Sequence, residues 1–189
     1  MVPLILGLII FLGIHSVRIV APKWRDRQMA AMGEGRWKGI YSLVSAAGLV
    51  LLIWGYGRAW EVAPILYEPP VWMKHTAALL MFFSFVSLMV FSFPAGRLKP
   101  MLKHPFLVAV QIWAVAHLLA NGDLASVILF GAFLAWAVID RLAVEWRGEA
   151  AALPGPVKWD ALAVVSGAVL YVLFIWRLHL WLIGVPPLA

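Results

Sequence analysis

The chain has 189 residues, of which 64% are hydrophobic and only 13% charged, and its mean hydropathy is +0.93. A water-soluble domain of this length cannot hide that much apolar side chain, which excludes a soluble enzyme. Fifteen Lys and Arg against nine Asp and Glu give a net charge of +6. In so apolar a chain that excess marks contact with an anionic membrane surface rather than with nucleic acid. There is no cysteine, hence no disulfide, iron–sulfur cluster or thiolate chemistry.

Apolar windows near twenty residues are long enough to cross a bilayer core. Six are present, at about Pro3–Val20, Gly39–Gly57, Val71–Phe93, His104–Ala120, Asp123–Asp140 and Lys158–Gly184. The expected fold is all-α: a polytopic membrane bundle of about six transmembrane helices, forming one domain over residues 1–189. No ten-residue stretch alternates as a membrane barrel strand would. Most prolines fall at or between span ends, where a missing backbone donor is tolerated, and Pro3 lies in a first turn. Lys23-Trp24-Arg25-Asp26-Arg27 reads as a headgroup-facing loop. Asn121-Gly122-Asp123 is a helix stop followed by an N-cap, and predicts a tight hairpin.

The links after spans one, three and five hold twelve Lys and Arg, whereas those after spans two and four hold two, Arg58 and Lys74. The positive-inside rule then puts both termini outside and the basic links in the cytoplasm. The first span has its positive charges behind it rather than before it, so it reads as a retained anchor, not a cleaved signal. Trp24, Trp37, Trp60, Trp72, Trp146, Trp159 and Trp181 fall near predicted interfaces and suit an aromatic belt. Ser45, Gly48 and Gly55 share one face of span two and predict a close helix contact.

Polar groups inside a bilayer are costly, so the five histidines are the place to look for function. His75, His104 and His179 fall near span ends and read as interfacial. His15 and His117 lie deeper. At about 1.5 Å per residue, His15 sits roughly 18 Å below the outer edge and His117 roughly 10 Å below it. Two readings stand: unrelated histidines hydrogen-bonded in the bundle, or axial ligands of one metal or haem iron. Zinc would want a third or fourth donor, and no Asp or Glu lies in the middle of a span. Two imidazoles among Phe, Trp, Leu and Met suit b-type haem better. Arg58, Lys74 and Arg177 on the outer side, or Arg18 and Arg97 on the inner side, would serve its propionates, although Arg177 also reads as a snorkelling side chain. Trp113 and Asn121 flank His117 on the same helix face. Asn121 would either orient a ligand ring or cap the hairpin. Hydrolase, nucleotide-binding and glycosidase patterns are absent.

Several strings carry a family resemblance: Gly13-Ile14-His15-Ser16, Gly33-Glu34-Gly35, Lys38-Gly39-Ile40-Tyr41-Ser42-Leu43-Val44-Ser45, His104-Pro105, the run from Trp113 through His117 to Asp123, and Leu129-Phe130-Gly131 through Trp136 to Asp140-Arg141. Together these resemble the NnrU family of bacterial integral membrane proteins over nearly the whole chain. The resemblance implies a multi-pass protein of the bacterial inner membrane, associated with denitrification and nitric oxide reductase. It also implies kinship with a haem-dependent 15-cis-ζ-carotene isomerase, whose ligand histidines map onto His15 and His117 and whose further His-Pro histidine maps onto His104. That isomerase has a cysteine where this chain has Ala114, so its ligand-switch mechanism does not transfer directly. Lys103-His104-Pro105 is also similar to a string of isoprenylcysteine-type methyltransferases, but the match is short and Ala109 replaces their usual glycine.

The expected cofactor is haem b, with His15 and His117 as iron ligands and Trp113, Asn121, Arg18 and Arg177 around it. The expected partners are the lipid bilayer and either an apolar polyene substrate or a membrane reductase. The alternative is an assembly partner of a reductase that carries no cofactor.

Overall fold

A computed structural model describes residues 1–188. Its helices are α1 (Val2–Val20), α2 (Pro22–Met32), α3 (Glu34–Trp60), α4 (Val71–Ser92), α5 (Leu98–Leu102), α6 (Pro105–Ala120), α7 (Leu124–Trp146), α8 (Lys158–Leu173) and α9 (His179–Ile183). A π-helical turn, Phe174–Leu178, joins α8 to α9. The only β pairing among the described residues is an isolated bridge between Ile65 and Asp123. Five helical stretches are long and apolar enough to cross a membrane: α1, α3, α4, α7 and the continuous run Lys158–Ile183. The sixth predicted span is α6, also apolar but only 16 residues long, or about 24 Å. Between 11% and 22% of the residues in the five long windows are buried. Their apolar faces therefore point outward, as with Leu43, Val50, Val165 and Trp176, which is the arrangement lipid demands and water forbids.

The chain divides into two compact units. Unit 1 comprises residues 1–67 and 122–144. Its frame is an antiparallel crossing of α1 and α3. Gly48 lies against the Phe11 backbone, Gly7 against Leu52, and Gly55 against Pro3 and Leu4. The small-residue face predicted in span two is thus where two backbones meet, at Gly48 and Gly55. α7 is held by a buried polar chain at its start. Asp123 accepts from Ser126 N at 2.9 Å and from Ser126 Oγ at 2.6 Å, the arrangement of an N-cap. The single hydroxyl hydrogen of Ser126 goes to the carboxylate, so the 2.8 Å contact between Tyr56 OH and Ser126 Oγ has the tyrosine as donor. The segment before α4 is tied to the same place: Leu66 N donates to Gly122 O and Leu124 N to Pro64 O.

Three features of this unit differ from expectation. Pro22–Met32 is a helix rather than a loop. A proline at its first position and a run of Lys, Arg, Gln, Met and Ala favour helix, and its Trp24 ring meets Trp37 edge-on at 5.8 Å. Trp37 is consequently buried against α2, while Trp24, Trp60, Trp72, Trp146 and Trp181 are exposed as a belt requires. α7 continues beyond Asp140 to Trp146, because Leu142, Ala143 and Val144 sustain the helix and Val144 is buried.

Unit 2 comprises residues 68–121 and 145–189, and α4 is its central helix. α6 lies antiparallel to α4, with Ser84 Oγ donating to the Ala109 carbonyl at 2.8 Å and Phe91 meeting Phe106. α8 lies antiparallel to it on another side, with Gly167 against the Val86 backbone and the Phe82 and Tyr171 rings 5.7 Å apart. The C-terminal ends of α6 and of the α8–α9 run therefore both lie beside the N-terminal end of α4. At the opposite end, the Asp160 carboxylate accepts from Arg97 N at 2.7 Å and Leu98 N at 3.0 Å. Asp160→Ala removes a charge-assisted acceptor from two backbone donors and is expected to cost about 1–3 kcal/mol. Equilibrium unfolding in detergent reads this, and Asp160→Asn should recover part of the loss because its amide oxygen still accepts.

Candidate functional site

In unit 1 the His15 ring lies among Phe11 at 4.4 Å, Tyr41 at 5.3 Å and Trp136 at 6.0 Å between centroids. His15 Nδ1 is 2.6 Å from the Phe11 carbonyl, one turn back on α1. A carbonyl only accepts, so Nδ1 carries the hydrogen and Nε2 the lone pair. Trp136 Nε1 is buried with no hydrogen-bond acceptor. An orphaned donor beside an imidazole is an unusual cost to leave in a folded core. Arg18, in the last turn of α1, is exposed.

In unit 2 the Nδ1 of His117 donates to the Trp113 carbonyl at 2.8 Å. Both the side-chain amide and the backbone N–H of Asn121 donate to the His117 carbonyl, each at 2.9 Å. These bonds are those of a helix cap, one of the two roles the sequence offers Asn121. Trp113 acts on His117 twice, through its carbonyl and through its ring, whose centroid lies 5.2 Å from the imidazole.

His117 opens onto a cleft of about 190 Å³ at the N-terminal end of α4. Its walls include Met81, Phe85, Tyr171 and Phe174, and its polar groups are Lys74, His117, Asn121 and His179. His179, which the sequence places near the outer end of the last span, has its ring 6.4 Å from that of His117 with the planes 22° apart. Its Nδ1 donates to the Val185 carbonyl at 2.6 Å. Gly184, at φ 85°, reverses the chain after α9 and brings that carbonyl back. Depth arithmetic carries part of the signal for this residue: His117 is three residues from the end of α6 and His179 four from the end of α9, so they sit about 4.5 and 6 Å inside their helix ends. Arg177, in the π-helical turn, is exposed, with its guanidinium 6.0 Å from the Trp176 ring. His75 is exposed in the first turn of α4, and His104 is the N-cap of α6. The structure thus gathers Trp113, His117 and Asn121 with His179 in unit 2, while His15 and Arg18 belong to unit 1.

Among the described residues no group of three or more His, Cys, Asp or Glu side chains is arranged to hold a metal ion. The donor set on offer is the imidazoles of His15, His117 and His179, each of which donates its Nδ1 hydrogen to a backbone carbonyl. That is the state in which histidine binds metals, since the outer hydrogen bond fixes the tautomer and raises the basicity of the ligating nitrogen. Haem iron needs no more donors than this, so the residues fit haem in donor chemistry. The cleft volume is below the roughly 300–1,000 Å³ of sites that enclose a whole organic ligand, so this cleft encloses only part of a group as large as a porphyrin.

No curated protein and no solved structure matches the chain. The family comparison does give a match, to the family described as NnrU protein, and it covers residues 3–187. With nearly every residue inside that match, the chain belongs to the NnrU family.

Proposed function

We propose that this NnrU protein binds b-type haem within the bacterial inner membrane and handles electrons or nitric oxide beside a membrane reductase of denitrification. The observation that carries the reading is the imidazole of His117, locked through Nδ1 to the Trp113 carbonyl and set in an apolar cleft. His15 supports it independently, with the same lock on Phe11 and the orphaned Trp136 donor beside it. When bound, haem supplies a one-electron couple and an iron site for a diatomic ligand. The chain's own part is to hold imidazoles in one tautomer, wall the iron off from water with aromatic and thioether side chains, and keep Lys74 at the cleft for a carboxylate. A polyene isomerase is the weaker reading, because Ala114 is fully buried and offers no thiolate for exchange at the iron.

The test is the visible spectrum of detergent-purified protein from haem-replete cells. A Soret band that sharpens on reduction, at one haem per chain by pyridine haemochrome, is the expected result. His117→Ala should lower haem content at least tenfold. A colourless, folded wild-type protein overturns the reading in favour of a cofactor-free assembly partner.

A further inference from the structure

His117 and His179 line one cleft with their rings near parallel, at a spacing that two imidazoles on one metal would also show. Two imidazoles that share one metal in line, at the usual metal–nitrogen distance of about 2.0–2.1 Å, have ring centroids about 6.3 Å apart. The observed separation is 6.4 Å, with the planes 22° from parallel. Offset stacking covers centroid separations of about 4.5–7 Å, so the distance alone fits both arrangements, and no hydrogen bond joins the rings through their Nδ1 atoms. Each Nδ1 is instead committed to a backbone carbonyl, Trp113 for His117 and Val185 for His179. Nε2 lies on the far side of each ring from that bond, and both rings line the same cleft.

The local backbone around His179 is specialised. The last span leaves α-helical geometry at Phe174–Leu178 and resumes it at His179. A π-helical turn carries one extra residue per turn, costs hydrogen-bond geometry and recurs at functional sites. Here it sets the face on which His179 emerges. Gly184 then takes the left-handed conformation that returns Val185 to His179 Nδ1. Two departures from regular helix thus flank His179, the π-helical turn directly before it and Gly184 five residues after it.

We propose that His179 is the second imidazole of the His117 centre, and that the two Nε2 atoms hold one transition metal between them. The proposal names the second ligand within unit 2. It takes from the preceding subsection only that His117 is a metal ligand. The metal is either haem iron or a bare ion such as copper, and the two share the same donor chemistry. Lys74 in the cleft disfavours a bare divalent cation and suits a group that brings carboxylates. Met81 offers a thioether that a soft ion would use.

The experiment compares wild type with His117→Ala, His179→Ala, His179→Gln, His15→Ala and His75→Ala, all as full-length protein in detergent. Haem is counted by pyridine haemochrome and total Cu, Fe and Zn by mass spectrometry, with folding checked by circular dichroism and gel filtration. If the metal is haem iron, the wild type is low-spin, both His179 variants become high-spin, and added imidazole restores the low-spin spectrum. If it is a bare ion, one ion per chain is present and falls at least tenfold in both His179 variants. His75→Ala leaves either signal unchanged. A folded His179→Gln protein with wild-type metal and spin state overturns the proposal. Loss of the low-spin spectrum in His15→Ala but not in His179→Gln also overturns it, and leaves the haem reading intact. Conversely, a colourless protein whose single ion needs both His117 and His179 overturns the haem reading and leaves this one standing. A protein with neither haem nor ion overturns both.

Discussion

Gly55→Leu is expected to unfold unit 1 in membranes. The obstruction at Gly55 is main chain: an added Cβ would run into Leu4 N, the Pro3 carbonyl carbon and Leu4 Cα. A side-chain neighbour could change rotamer, but these atoms move only if the whole of α1 moves. In lipid, helices gain little from excluding water, so their association rests on close packing of backbones at small residues. Separating α1 from α3 at Gly55 also strips the contacts at Gly7 and Gly48, because the three lie along one antiparallel seam. Overpacking typically costs about 1–3 kcal/mol where side chains can yield, so at least about 3 kcal/mol is expected here. Unfolding from bicelles into SDS measures it. Gly57 is the control, since nothing lies within 4 Å of its added Cβ. Gly57→Ala should be neutral or stabilise by up to about 1 kcal/mol through helix propensity. Equal effects at the two positions would contradict the seam.

The spans were readable because a bilayer imposes a simple length rule, and because prolines stand where helices begin. Pro22, Pro105 and Pro3 all fall in first turns. Gly48 and Gly55 were readable as a packing face because they lie two turns apart and share that face with Ser45. The cap at Asn121 and the Asp123–Ser126 bond follow from local sequence for the same reason: both partners are within four residues. Helix α2 was missed because its charges resemble a solvated link, and charge alone does not distinguish a polar helix from a loop. The closeness of His179 to His117 is not legible in the sequence for a different reason. Treating the last span as a regular helix assigns His179 no particular face, and neither the wide turn at Phe174–Leu178 nor the reversal at Gly184 leaves a periodic mark in the sequence. The Nδ1 bonds of His15 and His117 to the carbonyls of Phe11 and Trp113, by contrast, follow from helix geometry, four residues back in each case.

The wide turn supplies the sharpest prediction about the cleft. A regular helix advances about 100° per residue, so one added residue swings everything after it by that angle. The π-helical turn already absorbs one such residue, and a second has no place to go. Inserting a single alanine between Leu178 and His179 should therefore rotate the imidazole out of the cleft and carry it about 1.5 Å along the axis. The expected result is a folded protein with the same loss of metal or low-spin signal as His179→Ala. Folding should survive because only α9 and the final residues lie downstream, and α9 has no buried residue. Deleting Trp176 has the opposite expectation. Trp176 is 68% exposed, so its loss leaves no cavity. The shortened segment can close as a regular α-helix, and four residues of α-helix turn through nearly the same net angle as five of the wide turn. His179 should then stay on its face, and the His117 centre should retain its spectrum. If insertion is harmless and deletion is not, the wide turn has nothing to do with placing His179, and its cost must be explained by packing against α4, where Phe85 meets Phe174 at 4.9 Å.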